Sequence, residues 1–381
     1  MLKLPFFNES HRRLVDGLRE TIDDEIAPLQ QEDHGEREAS RQIVELLGQQ
    51  GWLEYAVPEG YGGRSDPIDV RSLCLIRQNL AKQWGLADFA FALQGLGAGP
   101  ISVFGSDAQK SAYLPDVARG EAIPAFALSE KEAGSDVSSL KTTAEPDGDG
   151  WVLDGEKTWI SNAGIADFYV VFARTGEAPG AKGVSAFVVE ADDPGFEYVE
   201  PIETVSPHPL GTIGFDDCRI PADRRLAGPG DGFKVAMATL DIFRSTVGAA
   251  ACGFAESAYE ATLAHVQDRE VFDQKLADFQ MTQSDLADMA TELDAAKMMV
   301  YRAAWTKDDG ADRVTREAAM AKYHATEHAQ QIVDRAVQLF GARGLVSGSK
   351  IEKLYRDIRP LRIYEGASEI QKIVIARQEL G

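Results

Sequence analysis

Glu365 is the residue whose setting most suggests acid–base chemistry. It lies between Tyr364 and Gly366. A loop is predicted shortly before it, at residues 357–360, because Pro360 breaks a helix. A carboxylate that an aromatic neighbour partly buries has a raised proton affinity and can serve as a general base. The alternatives are a carboxylate that caps the N-terminus of the following helix and an ordinary surface glutamate.

Two other segments suggest the binding of a flat heterocycle. Residues 128–136 are rich in small and hydroxyl side chains, so their backbone N–H groups, with Ser129 and Ser135, could hold the polar edge of a ring or a phosphate. Trp159 stands beside Ser161, which places an aromatic plane next to a hydroxyl. Taken alone, each segment has a structural alternative, namely an ordinary turn and a core tryptophan.

Two further patterns are weaker. Gly95-Leu-Gly-Ala-Gly99 begins like a dinucleotide fingerprint, but the third glycine is misplaced and Pro100 follows, so close helix packing at small residues is favoured. His324 and His328 are one helical turn apart, a spacing that can bind metal, yet the sequence shows no third ligand. A solvated helix face is favoured there, and no metal site is expected.

The composition is that of an acidic globular chain. Its 381 residues include 39 Lys+Arg and 61 Asp+Glu, so the net charge is −22. Such a field repels phosphate, and neither nucleic acid nor an anionic membrane surface is expected as a partner. The apolar stretches at residues 89–104 and 247–255 are shorter than the roughly 18 residues that a membrane span needs. Cys74, Cys218 and Cys252 are far apart, which argues against a disulfide framework. A cytoplasmic protein is expected.

The hydrophobic period changes twice along the chain. It is helical over residues 9–119, drops to two over 122–221, and is helical again from 231 to the end. This order predicts a mainly α protein with a central β domain, a sandwich or barrel. The predicted strands cover residues 151–160, 168–173, 184–189 and 213–220, and the clearest late helix covers 282–306.

Seven segments, taken in order, resemble the acyl-CoA dehydrogenase family along essentially the whole chain. Each is weak alone, but their order is specific. The segments are Pro58-Glu-Gly-Tyr-Gly-Gly63, Glu130-Lys-Glu-Ala-Gly-Ser-Asp136, Trp159-Ile-Ser-Asn162, Arg269-Glu-Val-Phe272, Phe279-Gln280, Gln338-Leu-Phe-Gly341 and Ile363-Tyr-Glu-Gly366.

This resemblance implies three domains and a cofactor. The domains would be an N-terminal helical domain at residues 1–120, a middle β-barrel or sandwich domain at 121–228, and a C-terminal four-helix bundle at 229–381. FAD would lie between them at a subunit interface. The implied partners are an acyl-CoA substrate, electron-transfer flavoprotein as electron acceptor, and further copies of the chain in a dimer or a dimer of dimers (a homotetramer).

The resemblance also implies roles for individual residues. Glu365 would be the catalytic base, and its backbone N–H would polarise the thioester carbonyl. The residues implied to bind the cofactor are Phe126, Leu128, Ser129, Gly134, Ser135, Trp159, Ile160, Ser161, Arg269, Phe272, Gln280, Gln338 and Gly341. The residues implied to bind substrate are Asp88, Ala92, Ser135, Asp241, Arg244, Tyr364 and Gly366.

The chain departs from the family pattern at two positions. Asp273 and Ala342 stand where the family usually has glycine, and Asp273 would place an anion near the FAD pyrophosphate. Some relatives carry the base on another helix, at the residue before an arginine. That residue is Phe243 here, before Arg244, and it cannot act as a base, so Glu365 has no rival there.

The implied reaction removes the α-hydrogen of an acyl-CoA as a proton and the β-hydrogen as a hydride to flavin N5, giving the 2-enoyl-CoA. Residues 86–95 are similar to relatives that act on cyclohexanecarboxyl-CoA, so an alicyclic substrate stays open beside a short, medium or branched chain. Asp88 would either act on a distal ring position or, as we favour, turn to solvent or pair with Arg77. The alternative functions are an acyl-CoA oxidase, a dehydrogenase of carrier-protein thioesters, and a flavin-fold binding protein without catalysis.

Overall fold

The structure is a computed structural model that describes every residue from Met1 to Gly381. The chain divides into two compact units. The helical unit comprises Met1–Gln31, Val70–Asp88 and Arg244–Gly381, and the strand-bearing unit comprises Glu32–Asp69 and Phe89–Phe243. The consecutive domains expected at residues 1–120, 121–228 and 229–381 stay a prediction.

Helices dominate both ends of the sequence, and strands occupy its middle, in the predicted order. Helices α1 to α11 span Glu9–Thr21, Ala27–Leu29, Glu36–Gln49, Val70–Gln83, Gly85–Phe104, Asp107–Arg119, Gly232–Asp268, Gln280–Asp308, Thr315–Phe340, Lys350–Ile358 and Ser368–Leu380. Strands β1 to β10 span Pro124–Ala127, Thr143–Asp147, Gly150–Ser161, Phe168–Arg174, Val184–Glu190, Phe196–Pro201, Leu210–Pro221, Arg225–Leu226, Glu270–Val271 and Gln274–Lys275.

In the helical unit, α8 and α9 pack along an apolar stripe. The buried residues of α8 include Met289, Leu293, Ala296 and Val300, which recur every three or four positions and so share one face. The facing stripe of α9 is rich in alanine, and small side chains let the two helix axes approach closely. The helix predicted near residues 282–306 is thus confirmed.

The strand-bearing unit contains one sheet of eight strands. Its order is β6-β7-β3-β2-β4-β5-β8, and β1 pairs in parallel with β4. Strands β4 and β5 are buried along nearly their whole length, which explains their continuous apolar sequences. The four predicted strands are confirmed as β3, β4, β5 and β7. The sequence prediction missed β1, β2, β6 and β8, which are short or carry charged residues.

Two helices, α5 and α7, have long apolar stretches. By length and composition both could cross a membrane, but 83% and 78% of their apolar windows are buried inside the protein. They are therefore core helices, and both extend beyond the short apolar stretches at residues 89–104 and 247–255. Cys74, Cys218 and Cys252 are buried and free, as expected of a chain without a disulfide framework.

The glycines at 95, 97 and 99 lie within α5 and serve close packing. A Cβ on Gly97 would lie 2.8 Å from Pro124 Cβ and 2.9 Å from the Pro124 carbonyl carbon. A Cβ on Gly95 or Gly99 would meet Phe243 or Thr239 at 2.6 and 2.8 Å. The packing interpretation is confirmed, and the dinucleotide fingerprint is excluded because these residues are mid-helix.

We expect Gly97→Ala to destabilise the fold. Alanine gains about 1 kcal/mol of helix propensity, but overpacking against backbone that cannot rotate away costs about 1–3 kcal/mol or more. The melting temperature of Gly97→Ala should therefore fall. Gly60→Ala is the control, since a Cβ there meets nothing within 4 Å. An equal or higher melting temperature for Gly97→Ala would contradict this account of α5.

Candidate active site

Glu365 lies in a strained turn in front of α11. Its φ is 52° and that of Gly366 is 90°, so two successive residues adopt the left-handed region. A non-glycine residue held there costs about 1–3 kcal/mol, and such strain is typical of functional sites. The N-cap of α11 is Ala367, without a side-chain capping bond. The helix-cap alternative for Glu365 is therefore wrong.

Two fully buried side chains hold this turn. Lys322 Nζ, from α9, donates to the Gly366 carbonyl at 2.8 Å. Gln371 Nε2, from α11, donates to the carbonyls of Gly366 and Glu365 at 2.8 and 3.2 Å. Both side chains have no exposed surface. A Cβ on Gly366 would lie 2.3 Å from Gln371 Nε2, so glycine is required for this anchor.

The Glu365 carboxyl group is shielded and incompletely paired. Its Oε2 has essentially no solvent-accessible surface and no hydrogen-bond partner. Burial raises the pKa of Glu365, and the cations of Arg77, Lys322 and Arg244 offset only part of that rise. Burial also lowers the pKa of Lys322 to about 8. The site thus presents a carboxylate of raised proton affinity, as general-base chemistry at neutral pH requires.

Asp88 forms a buried, bidentate ion pair with Arg77. Arg77 Nε and Nη2, from α4, donate to Asp88 Oδ1 and Oδ2 at 2.8 and 3.0 Å, and Nη1 donates to Thr246 Oγ1 at 2.8 Å. Both residues are 3% exposed. The pairing of Asp88 with Arg77 that the sequence favoured is confirmed, and its role toward substrate stays a prediction.

The other residues implied to contact substrate lie in both units. In the helical unit, Arg244 is buried and is among the cations that lower the pKa of Glu365, while Tyr364 is half-buried and burial raises the pKa of its hydroxyl. Gly366 completes the strained turn. In the strand-bearing unit, Ala92 is buried, Asp241 is half-buried and Ser135 is exposed.

The two segments expected to bind a heterocycle are neighbours in the strand-bearing unit. The Thr158 N–H donates to the Ser129 carbonyl at 3.1 Å. Trp159 is 56% exposed and has a φ of 61°, at a bulge of β3, so the core-tryptophan alternative is wrong. Ser129 is half-buried, and Gly134 is exposed beyond it.

The remaining residues of these segments differ in how far their side chains are exposed to a ligand. Phe126 and Ser161 are half-buried, whereas Leu128 and Ile160 are 8% and 1% exposed. The side chain of Ile160 therefore packs inward, and only its backbone can face a ligand.

A buried ion pair that the sequence did not reveal supports these segments. Lys157 Nζ lies 2.8 Å from Glu130 Oε1 and donates to the Leu128 carbonyl at 3.3 Å. Glu130 also accepts from the N–H groups of Lys141 and Thr142 at 2.6 and 2.9 Å. Burial lowers the pKa of Lys157 to about 8, although Glu130 offsets part of that shift. Burial along β3 does not alternate here, since the neighbouring Lys157 and Thr158 are both buried, so only the fold shows that Lys157 points inward and what it pairs with.

The third set of cofactor candidates is exposed on the helical unit. Phe272 and Asp273 form the turn of the β9–β10 hairpin with φ of 53° and 61°. Aspartate tolerates this left-handed conformation, which explains how the chain accepts it where the family usually has glycine. Phe272 is 91% exposed. Arg269, Gln280, Gln338 and Gly341 are exposed as well.

These features fit a flavin dinucleotide. An exposed indole plane beside half-buried hydroxyls suits the ring system, and an exposed arginine suits the phosphates. The solvent-shielded Glu365 Oε2 is a polar atom left without a partner within the protein. A shielded carboxylate oxygen without a partner suits the removal of a proton from a weakly acidic carbon.

The fold is that of a flavoprotein dehydrogenase, and comparisons with known proteins show the family. Models of the acyl-CoA dehydrogenase N-terminal, middle and C-terminal domains match residues 8–121, 125–218 and 230–380. A probable acyl-CoA dehydrogenase of Mycobacterium tuberculosis, FadE25, is 37% identical over 380 residues, which cover 99% of this chain and 96% of that protein.

Solved structures show the same likeness. Butyryl-CoA dehydrogenase from Megasphaera elsdenii superposes with a TM-score of 0.92 at 32% identity, covering 98% of this chain and 99% of that one. A chain from the structure of the electron transferring flavoprotein of Acidaminococcus fermentans superposes with a TM-score of 0.92 at 34% identity, covering 98% of this chain and 98% of that one. This chain belongs to the acyl-CoA dehydrogenase family. It is an oxidoreductase that acts on a CH–CH bond, with FAD as its cofactor.

We expect Asp88→Asn to destabilise the helical unit strongly. The change removes the carboxylate that pairs directly with the buried Arg77 guanidinium, and breaking a buried ion pair typically costs about 3–5 kcal/mol. Asp294→Asn is the matched control, since Asp294 is exposed on α8. Denaturant unfolding followed by circular dichroism measures both. If Asp88→Asn lowered the free energy of unfolding no more than Asp294→Asn does, Arg77 would have found another partner.

Proposed function

We propose that this chain catalyses the α,β-dehydrogenation of an acyl-CoA thioester to the 2-enoyl-CoA, with Glu365 as the base that takes the α-proton. The observation that carries the proposal is the shielded Oε2 of Glu365, which has no hydrogen-bond partner and a raised pKa among three cationic side chains. A carboxylate placed on this turn by two buried anchors is both basic and rigid, as general-base catalysis requires.

The chain's own groups account for the acidity of the substrate. The α C–H of a thioester is a poor acid, so the carbonyl oxygen must be stabilised as charge develops on it, and the backbone N–H of Glu365 is proposed as one donor. Glu365 takes the α-proton on its carboxylate. The nearby Arg77, Lys322 and Arg244 limit the rise in its pKa and so favour the ionised form that can take a proton. Bound FAD would supply the two-electron acceptor for the β-hydrogen, which leaves the substrate as hydride.

The proposed cofactor contacts come from the three sets of residues described above. Ser129, Gly134, Ser135 and the exposed face of Trp159 would hold the ring system, with Phe126, Leu128, Ile160 and Ser161 around it. Arg269, Phe272, Gln280, Gln338 and Gly341 would hold the adenine and pyrophosphate end of a cofactor bound to a second copy. Phe272, at the tip of the β9–β10 hairpin, is 91% exposed, so its ring is available to such a second copy.

For the substrate, we propose a plain saturated acyl chain rather than a ring. Both carboxylate oxygens of Asp88 already accept hydrogen bonds from Arg77, so Asp88 is poorly placed to act as a second base on a distal ring position. The structural likeness to a butyryl-CoA dehydrogenase supports a short chain. Electron-transfer flavoprotein is the proposed electron acceptor, and a cytoplasmic location stays a prediction.

We expect Glu365→Gln to abolish substrate-dependent flavin reduction. Glutamine keeps the shape of the side chain but cannot accept the α-proton, and losing a general base typically slows a reaction by about 10²–10⁴-fold. The measurement is anaerobic bleaching of the flavin by butyryl-, octanoyl-, isobutyryl- and cyclohexanecarboxyl-CoA. Glu369→Gln, an exposed acid on α11, is the control and should behave as the wild type.

The same titration separates the alternatives. Bleaching by Glu365→Gln at the wild-type rate would contradict the assignment of the base. Bleaching by the cyclohexane thioester alone would contradict the proposed straight chain. Wild-type protein that no CoA thioester reduces would favour a carrier-protein substrate or a binding protein, and peroxide formed in air at the rate of turnover would favour an oxidase.

A further inference from the structure

A cluster of three possible metal ligands lies between α8 and α9, apart from the residues of the proposed active site. His324 and His328 stand one turn apart on α9, and Glu292 reaches them from α8. Glu292 Oε2 lies 3.0 Å from His328 Nδ1 and 3.7 Å from His324 Nε2. The sequence showed the two histidines without a third ligand, and packing of the two helices supplies it.

The separations suit a small metal ion. One ligand atom from each residue lies within 4.8 Å of the other two. Zinc bonds nitrogen and carboxylate oxygen at about 2.0–2.1 Å in a tetrahedron, which places ligand atoms about 3.3 Å apart. The two distances from Glu292 Oε2, 3.0 and 3.7 Å, fall on either side of that value.

The two imidazole nitrogens lack hydrogen bonds within the protein. His324 Nε2 and His328 Nδ1 are shielded from solvent and have no hydrogen-bond partner, since the approach of Glu292 does not meet hydrogen-bond geometry. The ring centroids are 4.1 Å apart. Buried polar atoms left unpaired cost free energy, and a metal ion would satisfy both nitrogens at once.

The chemistry of the three groups selects the class of ion. Two imidazoles and one carboxylate are a set that zinc and similar divalent transition ions accept, whereas magnesium and calcium prefer oxygen ligands alone. The side chains of His324, His328 and Glu292 are 23%, 25% and 38% exposed, so an ion can enter and keep water as a further ligand.

We propose that Glu292, His324 and His328 bind one zinc-class divalent cation that joins α8 to α9. The ion pair between Arg335 Nη1 and Asp288 Oδ2, at 3.3 Å, joins the same two helices and helps to fix their spacing. Asp288 lies one turn from Glu292 on α8, and Arg335 lies about two turns from His328 on α9. The inference is independent of the proposed function, because it uses none of the residues assigned to substrate, base or flavin.

The test uses the FAD-loaded full-length protein, freed of any affinity tag and treated with chelator, and Zn²⁺ alone as the probe. Equilibrium dialysis with metal analysis should find one Zn²⁺ per chain in this cluster. His324→Gln, His328→Gln and Glu292→Gln should each weaken that binding by about tenfold or more. His34→Gln is the matched control, because His34 Nε2 lies 2.7 Å from Glu32 Oε2 without a second histidine.

Other outcomes overturn the proposal. One is that the wild type binds no more Zn²⁺ than the triple variant Glu292→Gln/His324→Gln/His328→Gln. Another is that His34→Gln loses as much Zn²⁺ affinity as the cluster variants. A third is that Mg²⁺ displaces the bound Zn²⁺ as well as added Zn²⁺ does. A second measurement uses the wild-type protein and so does not depend on whether a variant folds. Zn²⁺ should slow the modification of His324 and His328 by diethylpyrocarbonate, read by peptide mass spectrometry, and should leave His34 unprotected. Absence of that protection would also overturn the proposal.

Discussion

The structure depends on one electrostatic constraint, the burial of the Glu365 carboxyl group within reach of fixed positive charges. Burial alone would leave a neutral acid at working pH, which cannot take a proton. Full pairing with a cation would leave a weak base. Glu365 falls between these limits, because Lys322, Arg244 and Arg77 influence it while its Oε2 keeps no hydrogen-bond partner.

The surrounding polar contacts follow from that constraint. The Arg77 guanidinium would be costly to bury alone, so Asp88 and Thr246 satisfy three of its donor positions. Lys322 has two roles. Its Nζ donates a hydrogen bond to the Gly366 carbonyl, and its positive charge offsets part of the rise in the pKa of Glu365. Two buried anchors hold the backbone of the strained turn, and the buried Arg77–Asp88 pair acts on the Glu365 carboxyl group through its charges. Local rules of stability are typically broken in this way at functional sites.

The sequence was enough to predict the layout and to single out Glu365 and Trp159 as site candidates. The long strands β3, β4, β5 and β7 and helix α8 have strong hydrophobic periods, and Glu365 and Trp159 stand in recognisable segments. Contacts across the fold could not be predicted in this way. Lys157 with Glu130, Lys322 with Gly366, and Glu292 with His328 each join residues from separate segments, and periodicity marks which face a residue occupies without naming its partner. The short strands β1 and β8 were missed because few residues carry their pattern.

The most direct test of this account is the pH dependence of flavin reduction in the wild type and in Lys322→Met, with exposed Lys353→Met as the control. Because Glu365, as the proposed base, must be ionised to take a proton, the rate should rise with pH through a midpoint above the ordinary range of a carboxyl group. Lys322→Met removes a cation that offsets part of the rise in the pKa of Glu365, so the midpoint should move to higher pH, while Lys353→Met leaves it in place. A rate that falls equally at every pH in Lys322→Met, with an unchanged midpoint, would contradict the claim that charge around a buried Glu365 sets the chemistry.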